Sequence, residues 1–300
     1  MKLTAQDKLF HTALYALLTL LGFLTLYPFW NSVVLSFNSG YDTSLGGVTF
    51  WPRDFTLDNY RIVFSDARLG DSFLISLLRT VAGTFFSILL TMMLGYGLSR
   101  RGVVGHKAYM LFFLITMFFQ GGLIPSFLIN RSLGLMDSFW VLVVPFLINV
   151  WNMIIFRTFF RELPEALEES AKIDGCNQFG ILFRIIVPVS GPVIATLSLF
   201  TAIFHWNDWF TASIYINNQT LMPVQSLLQQ ILNSNLSSEL LLQATGGNAS
   251  AMEVFDKAQT ITTKSLSMAI MIVTTLPIIL LYPFLQRYFV KGVMVGSLKG

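Results

Sequence analysis

Charge is scarce in this chain. Only 12% of its 300 residues are Asp, Glu, Lys or Arg, where an ordinary soluble domain carries roughly a quarter. The composition is that of a membrane protein. Cysteine is scarcer still: Cys176 stands alone, which excludes an internal disulfide and leaves a reduced thiol with no role of its own. Nucleotide-binding and hydrolytic motifs are absent as well. No G-x-x-x-x-G-K-[S/T] loop, nucleophile elbow or H-E-x-x-H site occurs, so the sequence offers no P-loop ATPase, serine hydrolase or zinc peptidase chemistry. His11 and His106 have no metal-ligand companions nearby and read as structural.

What is plentiful is apolar side chain, 54% of the residues. It gathers into stretches of about 20 residues, the length a helix needs to cross a hydrocarbon core. About six spans are predicted: 9–37, 72–99, 108–130, 138–156, one within 188–216 and one within 265–290. The first is too long for the apolar core of a secretory signal, and Tyr27-Pro28-Phe29-Trp30 is no small-residue cleavage site, so it reads as a retained helix. With both ends inside, Lys2, Lys8, Arg100, Arg101, Lys107, Arg157, Arg161, Lys172, Arg184, Arg287, Lys291 and Lys299 fall on the cytoplasmic side. The longer outer segments hold only Arg53, Arg61, Arg68, Arg131, Lys257 and Lys264, the asymmetry expected of short cytoplasmic loops. Topology thus accounts for the net charge of +3, and no nucleic-acid partner is needed. Trp30, Trp51, Trp140 and Tyr282 lie near predicted helix ends, as interfacial anchors do.

The chain divides into 1–71, an N-terminal helix with a first outer loop, and a core domain over 72–300. The first loop is expected to be extended or turned around Trp51-Pro52-Arg53. A second long outer loop, 217–264, is polar, with an amphipathic piece at 223–232 and a Gly246-Gly247-Asn248 turn. Proline in or beside the spans predicts kinked helices, and Gly83, Gly95 and Gly97 predict close helix approach.

Between the fourth and fifth spans, residues 161–175 predict a short, self-contained helix. Pro164 suits its first position, Glu165, Glu168 and Glu169 complement the positive end of the dipole, Glu168 and Lys172 are spaced for an i,i+4 pair, and Asp174-Gly175 stops it. Ala166, Ser170 and Ala171 are small enough to let a partner's backbone approach, with Leu167 and Ile173 as apolar anchors. An interfacial helix lying on lipid is the plainer reading, but its acidic face would be repelled by anionic headgroups.

Polar groups at bilayer depth are costly, so each is a candidate for a site. The densest set is Asn149, Trp151 and Asn152 in the fourth span with His205, Trp206, Asn207 and Asp208 in the fifth. Amides and a carboxylate beside aromatic faces suit a sugar. Hydrogen bonding between helices is the other reading, and both stand. For Arg79, near the outer start of the second span, snorkelling or an ion pair is the cheaper explanation.

Glu169-Ser170-Ala171, Asp174-Gly175, Ile185-Ile186-Val187-Pro188 and Pro192 resemble the EAA loop of binding-protein-dependent ABC importer permeases, a loop placed here over about 161–192. The departures are small: Ser170 and Cys176 where alanine is usual, and Val187 where leucine is common. Phe119-Gln120-Gly121-Gly122-Leu123-Ile124-Pro125, the Asn130–Leu135 turn and Asn207-Asp208-Trp209 are similar to the carbohydrate-uptake branch, on the side of the maltose-type inner permeases. The resemblance implies an all-α, type I importer permease fold in the bacterial cytoplasmic membrane. It implies a second homologous permease, two cytoplasmic ATPases that hold ATP and Mg, an extracytoplasmic solute-binding protein and a sugar as cargo, with no cofactor in this chain. Glu165, Ala166, Glu169, Ser170, Ala171, Asp174 and Gly175 would then couple to the ATPase, while Asn149, Asn152, Trp206, Asn207 and Asp208 would line the substrate pathway. A secondary transporter, an intramembrane enzyme and an ABC permease for a non-sugar solute are the rival classes.

Overall fold

The computed structural model describes residues 5–65, 67–100, 102–233 and 264–280. The 234–263 part of the second outer loop, residues 281–290 of the sixth apolar stretch and several predicted anchors and cytoplasmic cations, among them Arg101, Tyr282 and Arg287, lie outside them. Among the described residues the fold is helical, with one isolated antiparallel bridge between Asn38 and Phe55. In chain order the helices are α1 (Ala5–Ser36), α2 (Gly40–Leu45), α3 (Asp58–Ser65), α4 (Ala67–Ser99), α5 (His106–Phe118) and α6 (Leu123–Ser132). Two 3-10 turns follow, Phe139–Leu142 and Val144–Phe146, and then α7 (Val150–Glu162) and α8 (Ala166–Ile173). A π-helical turn, Leu182–Ile186, joins α9 (Gln178–Ile181) to α10 (Val187–Val189), and α11 (Gly191–Asn207) and α12 (Phe210–Tyr215) come next. Helices over 224–233 and Lys264–Leu280 complete the described chain as α13 and α14.

Two helices, over Gln6–Ser36 and Arg68–Ser99, are apolar and long enough to cross a membrane unbroken. The third, fourth and fifth predicted stretches are not single rods. They form pairs bent by 114° (His106–Phe118 with Leu123–Ser132), 46° (Phe139–Phe146 with Val150–Glu162) and 86° (Gln178–Val189 with Gly191–Asn207). Each break has a local cause. At the first, Phe119 leaves the helix in an extended conformation and Gly122 takes φ +83°, a left-handed conformation that a glycine adopts without a Cβ clash. At the second, Pro145 sits in a 3-10 turn, where its missing N–H rules out a regular ladder. At the third, Ser190 (φ −90°, ψ 11°) separates Val189 from Gly191, and Pro192 restarts the helix in its first turn. Counting each bent pair as one span gives up to five apolar crossings among the described residues, with α14 a shorter apolar helix.

The chain forms two compact units. One comprises Met1–Ala67 and Leu228–Leu276. The outer loop in it is strapped to the end of α1: the Trp30 indole donates to the Phe50 carbonyl (2.9 Å), and the Asn31 amide donates to those of Val48 (3.1 Å) and Thr49 (3.0 Å). Asn38 is buried and organises the turn, donating to Asp42 Oδ2 (2.9 Å) and Thr43 Oγ1 (3.0 Å) and accepting from the Asp54 N–H (3.0 Å). That Asn38 amide, with Arg53 also contributing, holds the Asp42 carboxyl below the usual carboxylate range. Trp51-Pro52-Arg53 is non-helical, as expected, but α2 and α3 lie on either side of it and α4 begins at Ala67, ahead of the predicted start.

The second unit comprises Arg68–Leu227 and Pro277–Gly300. Its main cluster joins Ile88, Met92 and Tyr96 of α4 to Phe156 and Phe160 of α7, Ala171 of α8, Ile181, Leu182 and Ile186, and Leu197 of α11. Two glycines of α4 make this packing possible. A Cβ on Gly95 would lie 2.8 Å from Phe156 Cβ and 3.1 Å from the Met153 carbonyl, and one on Gly83 would lie 2.5 Å from the His205 ring. Gly97, predicted to act likewise, faces open space. His205 is buried against Gly83, Phe146 and Phe204, and it fills that space as an aromatic plate.

Candidate functional site

The short helix α8 has two faces. At its start Pro164 is not the first helical residue: Glu165 takes the N-cap position without a side-chain cap bond, and the Leu167 N–H bonds the Pro164 carbonyl at 3.2 Å. The missing proline N–H still costs nothing at a helix start. The C-terminus is closed by a Schellman motif, with the Gly175 N–H on the Lys172 carbonyl (3.0 Å) and the Cys176 N–H on that of Ala171 (2.9 Å). Gly175 supplies the left-handed residue, φ +77°, and Cys176 packs on the cluster that holds Ala171, the apolar contact that accompanies this cap. The thiol left without a role in the sequence is therefore part of the helix stop.

Glu165, Ala166, Glu169, Ser170, Asp174 and Gly175 are exposed, as are Leu167 and, at 86%, Ile173. Ala171 differs from its companions in the predicted coupling set. It is buried at 4% and packs inward. Glu168 is the other buried residue of the helix. It does not form the predicted pair with Lys172; it turns inward to an ion pair with Arg100, just past the end of α4. The i,i+4 spacing is favourable by only a few tenths of a kcal/mol on an exposed surface. Burial leaves the carboxylate needing a closer cation. The Arg100 guanidinium in turn lies 4.6 Å from the centroid of the Tyr96 ring, whose hydroxyl donates to Gln178 Oε1 (3.2 Å). Beside α8 opens a cleft of about 710 Å³, lined by Tyr96, Arg100, Arg161, Glu165, Glu169, Lys172 and their neighbours.

The polar residues predicted at bilayer depth fall into two hydrogen-bonded groups. Asn149 is exposed and caps α7, its Oδ1 accepting from the Asn152 N–H (3.0 Å), while its own N–H donates to Thr91 of α4 (3.3 Å). The buried Asn152 amide donates to Thr201 of α11 (3.2 Å). In the second group Arg79, whose side chain is fully buried, forms an ion pair with Asp208 and donates to the Asp208 carbonyl (2.6 Å) and the Leu142 carbonyl (3.3 Å). Asp208 also accepts from the Thr211 N–H (3.2 Å), opening α12. One arginine thus ties α4, a 3-10 turn and the junction after α11. Trp206 is buried with its ring 6.2 Å from that of Phe73, and Asn207 is exposed.

Sequence reasoning left Arg79 without a named partner, although Asp208 is the sole carboxylate within the apolar stretch 188–216, and a buried arginine needs one. Arg100 with Glu168 was missed outright, since nothing local to either residue announces a partner dozens of positions away. Among the described residues no group of three or more His, Cys, Asp or Glu is placed to hold a metal ion.

Residues 72–295 match the family described as the binding-protein-dependent transport system inner membrane component. The polygalacturonan/rhamnogalacturonan transport system permease protein YtcP of Bacillus subtilis is 39% identical over 295 residues, 98% of this chain and 100% of that protein. Protein LplC of the same organism is 38% identical over 279 residues, 93% of this chain and 91% of its own length. A chain of a bacterial ABC transporter involved in the import of the acidic polysaccharide alginate superposes with a TM-score of 0.85 at 27% identity, covering 96% of this chain and 99% of that one. The helical, apolar chain accordingly belongs to the inner membrane components of bacterial binding-protein-dependent ABC transport systems, and is a permease subunit rather than an enzyme.

Proposed function

We propose that this chain is one of two permease halves of an ATP-driven importer, and that it passes an oligosaccharide delivered by an extracytoplasmic solute-binding protein. The observation that carries this reading is the end-to-end likeness to a polygalacturonan/rhamnogalacturonan permease. The alginate transporter chain supports the same class of cargo. About six spans with both termini cytoplasmic remain the topology that the distribution of Lys and Arg supports. On this reading 1–71 is an N-terminal addition to a core over 72–300, the region where the family match begins. The exposed apolar side chains of α1 face lipid.

The partners are a second, homologous permease, the binding protein, and two ATPases that hold ATP and Mg. The coupling loop is 161–192, and α8 is the piece that seats on an ATPase. Glu165, Ala166, Glu169, Ser170, Asp174 and Gly175 form the docking face, with Ala171 beneath it as the support. The C-terminal cap of α8 and its exposed Ile173 favour this over a simple linker. Of the pathway residues, exposed Asn149 and Asn207 present amides to sugar, while Asn152, Trp206 and Asp208 hold the surrounding helices.

The test is ATP hydrolysis and uptake by the reconstituted assembly, offered binding proteins loaded with galacturonan, alginate or neutral oligosaccharides. Stimulation by one loaded binding protein is the expected result. Uptake driven by an ion gradient with no ATPase attached would refute the reading.

A further inference from the structure

Two largely buried ion pairs of the second unit lie along one helix, one within its length and one just past its C-terminus. Arg79 in the outer half of α4 holds Asp208, at the end of α11. Arg100, immediately after α4, holds Glu168 of α8. The intervening helix is unbroken, so the two arginines are about 30 Å apart along its axis at the helical rise. An α-helix of this kind transmits displacement as a rod.

From this arrangement we infer that Arg100 and Glu168 are positioning residues for transport, fastening α8 to the inner end of α4 so that displacement of α8 reaches the Arg79–Asp208 junction. The inference rests on the reading that α8 seats on the ATPase.

Three observations favour fastening over plain stabilisation. First, α8 has only eight residues, and among them Glu168 and Ala171 alone are buried. Ala171 gives it a small apolar foothold, and Glu168 is its one buried polar anchor. Second, the chain itself ties α8 to α7 and α9 but not to α4, from which it is separated by more than sixty positions. The ion pair supplies that link. Third, a buried pair contributes little net stability over apolar residues of equal volume, whereas it fixes one geometry. The guanidinium is also held against the Tyr96 ring, and Tyr96 donates to Gln178 at the start of α9, so the anchor is fixed from two sides.

The experiment uses the complete assembly with its ATPases and loaded binding protein, reading substrate transported per ATP hydrolysed. Arg100→Gln and Glu168→Gln should retain the ATPases and lower that ratio by roughly fivefold or more. In a Cys176→Ser background, Arg100→Cys with Glu168→Cys should be equally uncoupled. Bridging the two thiols with a short reversible bis-thiosulfonate reagent should restore the ratio. Restoration also shows that the variant is folded. An unchanged ratio in the single variants overturns the inference. So does a bridge that stops transport until it is reduced, because α8 would then have to move against α4. Loss of the ATPases from Glu168→Gln overturns it too, by placing Glu168 in the docking face. The docking reading fails separately, if Glu169→Lys keeps its ATPases.

Discussion

Arg79 joins three parts of the core, α4, the 3-10 turn that ends at Leu142 and the end of α11. Its side chain is fully buried while that of Asp208 is 12% exposed, so removing either partner strands a charge in the protein interior. Asp208→Asn is therefore expected to destabilise the permease by about 3–5 kcal/mol. Arg79→Met combined with Asp208→Asn should cost less than the sum of the single changes, which denaturation of the purified assembly in detergent will measure. If Asp208→Asn instead leaves stability intact and abolishes uptake, the carboxylate belongs to the substrate pathway. Gly95 makes a second residue-level case. Alanine there must push against the backbone of α7 and should cost about 1–3 kcal/mol, whereas Gly97→Ala, facing open space, should be tolerated. Equal effects at the two positions would show that α4 and α7 do not meet at Gly95.

The elements of this fold are set by their ends. α7 starts where Asn149 caps it, and Asn149→Ala should cost about 1 kcal/mol from the loss of that bond. If the exposed amide also meets sugar, uptake will fall by more than stability does, and comparing the two separates the roles. α8 ends at its Schellman motif. Replacing Gly175, with its φ of +77°, by valine should unwind the last turn and detach the ATPase while the rest of the permease stays folded. Undiminished co-purification would argue that α8 is not the seat. The breaks between α5 and α6 and between α10 and α11 follow the same logic. Glycine and proline placed inside an apolar run bend it, and the kinks expected from the prolines become breaks between paired helices.

For the whole molecule, the orientation in the membrane can be read from its lone thiol. Cys176 is half-buried just after α8, and the proposed topology puts it on the cytoplasmic side. A membrane-impermeant maleimide should therefore label inside-out vesicles and spare right-side-out cells, with no engineering of the chain. Labelling of intact cells would invert the topology and remove α8 from reach of any ATPase. The same experiment bears on the proposed docking of ATPases, which requires α8 on that face.

Apolar run length, the placement of cations and the Glu-Ser-Ala, Asp-Gly spacing determined the membrane class, the expected orientation and the family, because these depend on composition and on contacts within a few residues. Helix ends, a stop at Gly175 and a start at Pro192, were legible for the same reason. Gly175 and Pro192 act on their own backbone, and the structure finds them where the sequence put them. Tertiary structure alone decided that Ala171 faces inward, that Glu168 prefers Arg100 to Lys172, and that Asp208 answers Arg79. It also decided that Gly95 is a contact point and Gly97 is not. Each of these turns on which helix lies against which face. A buried charge takes whichever partner packing brings near, and no local spacing encodes that choice.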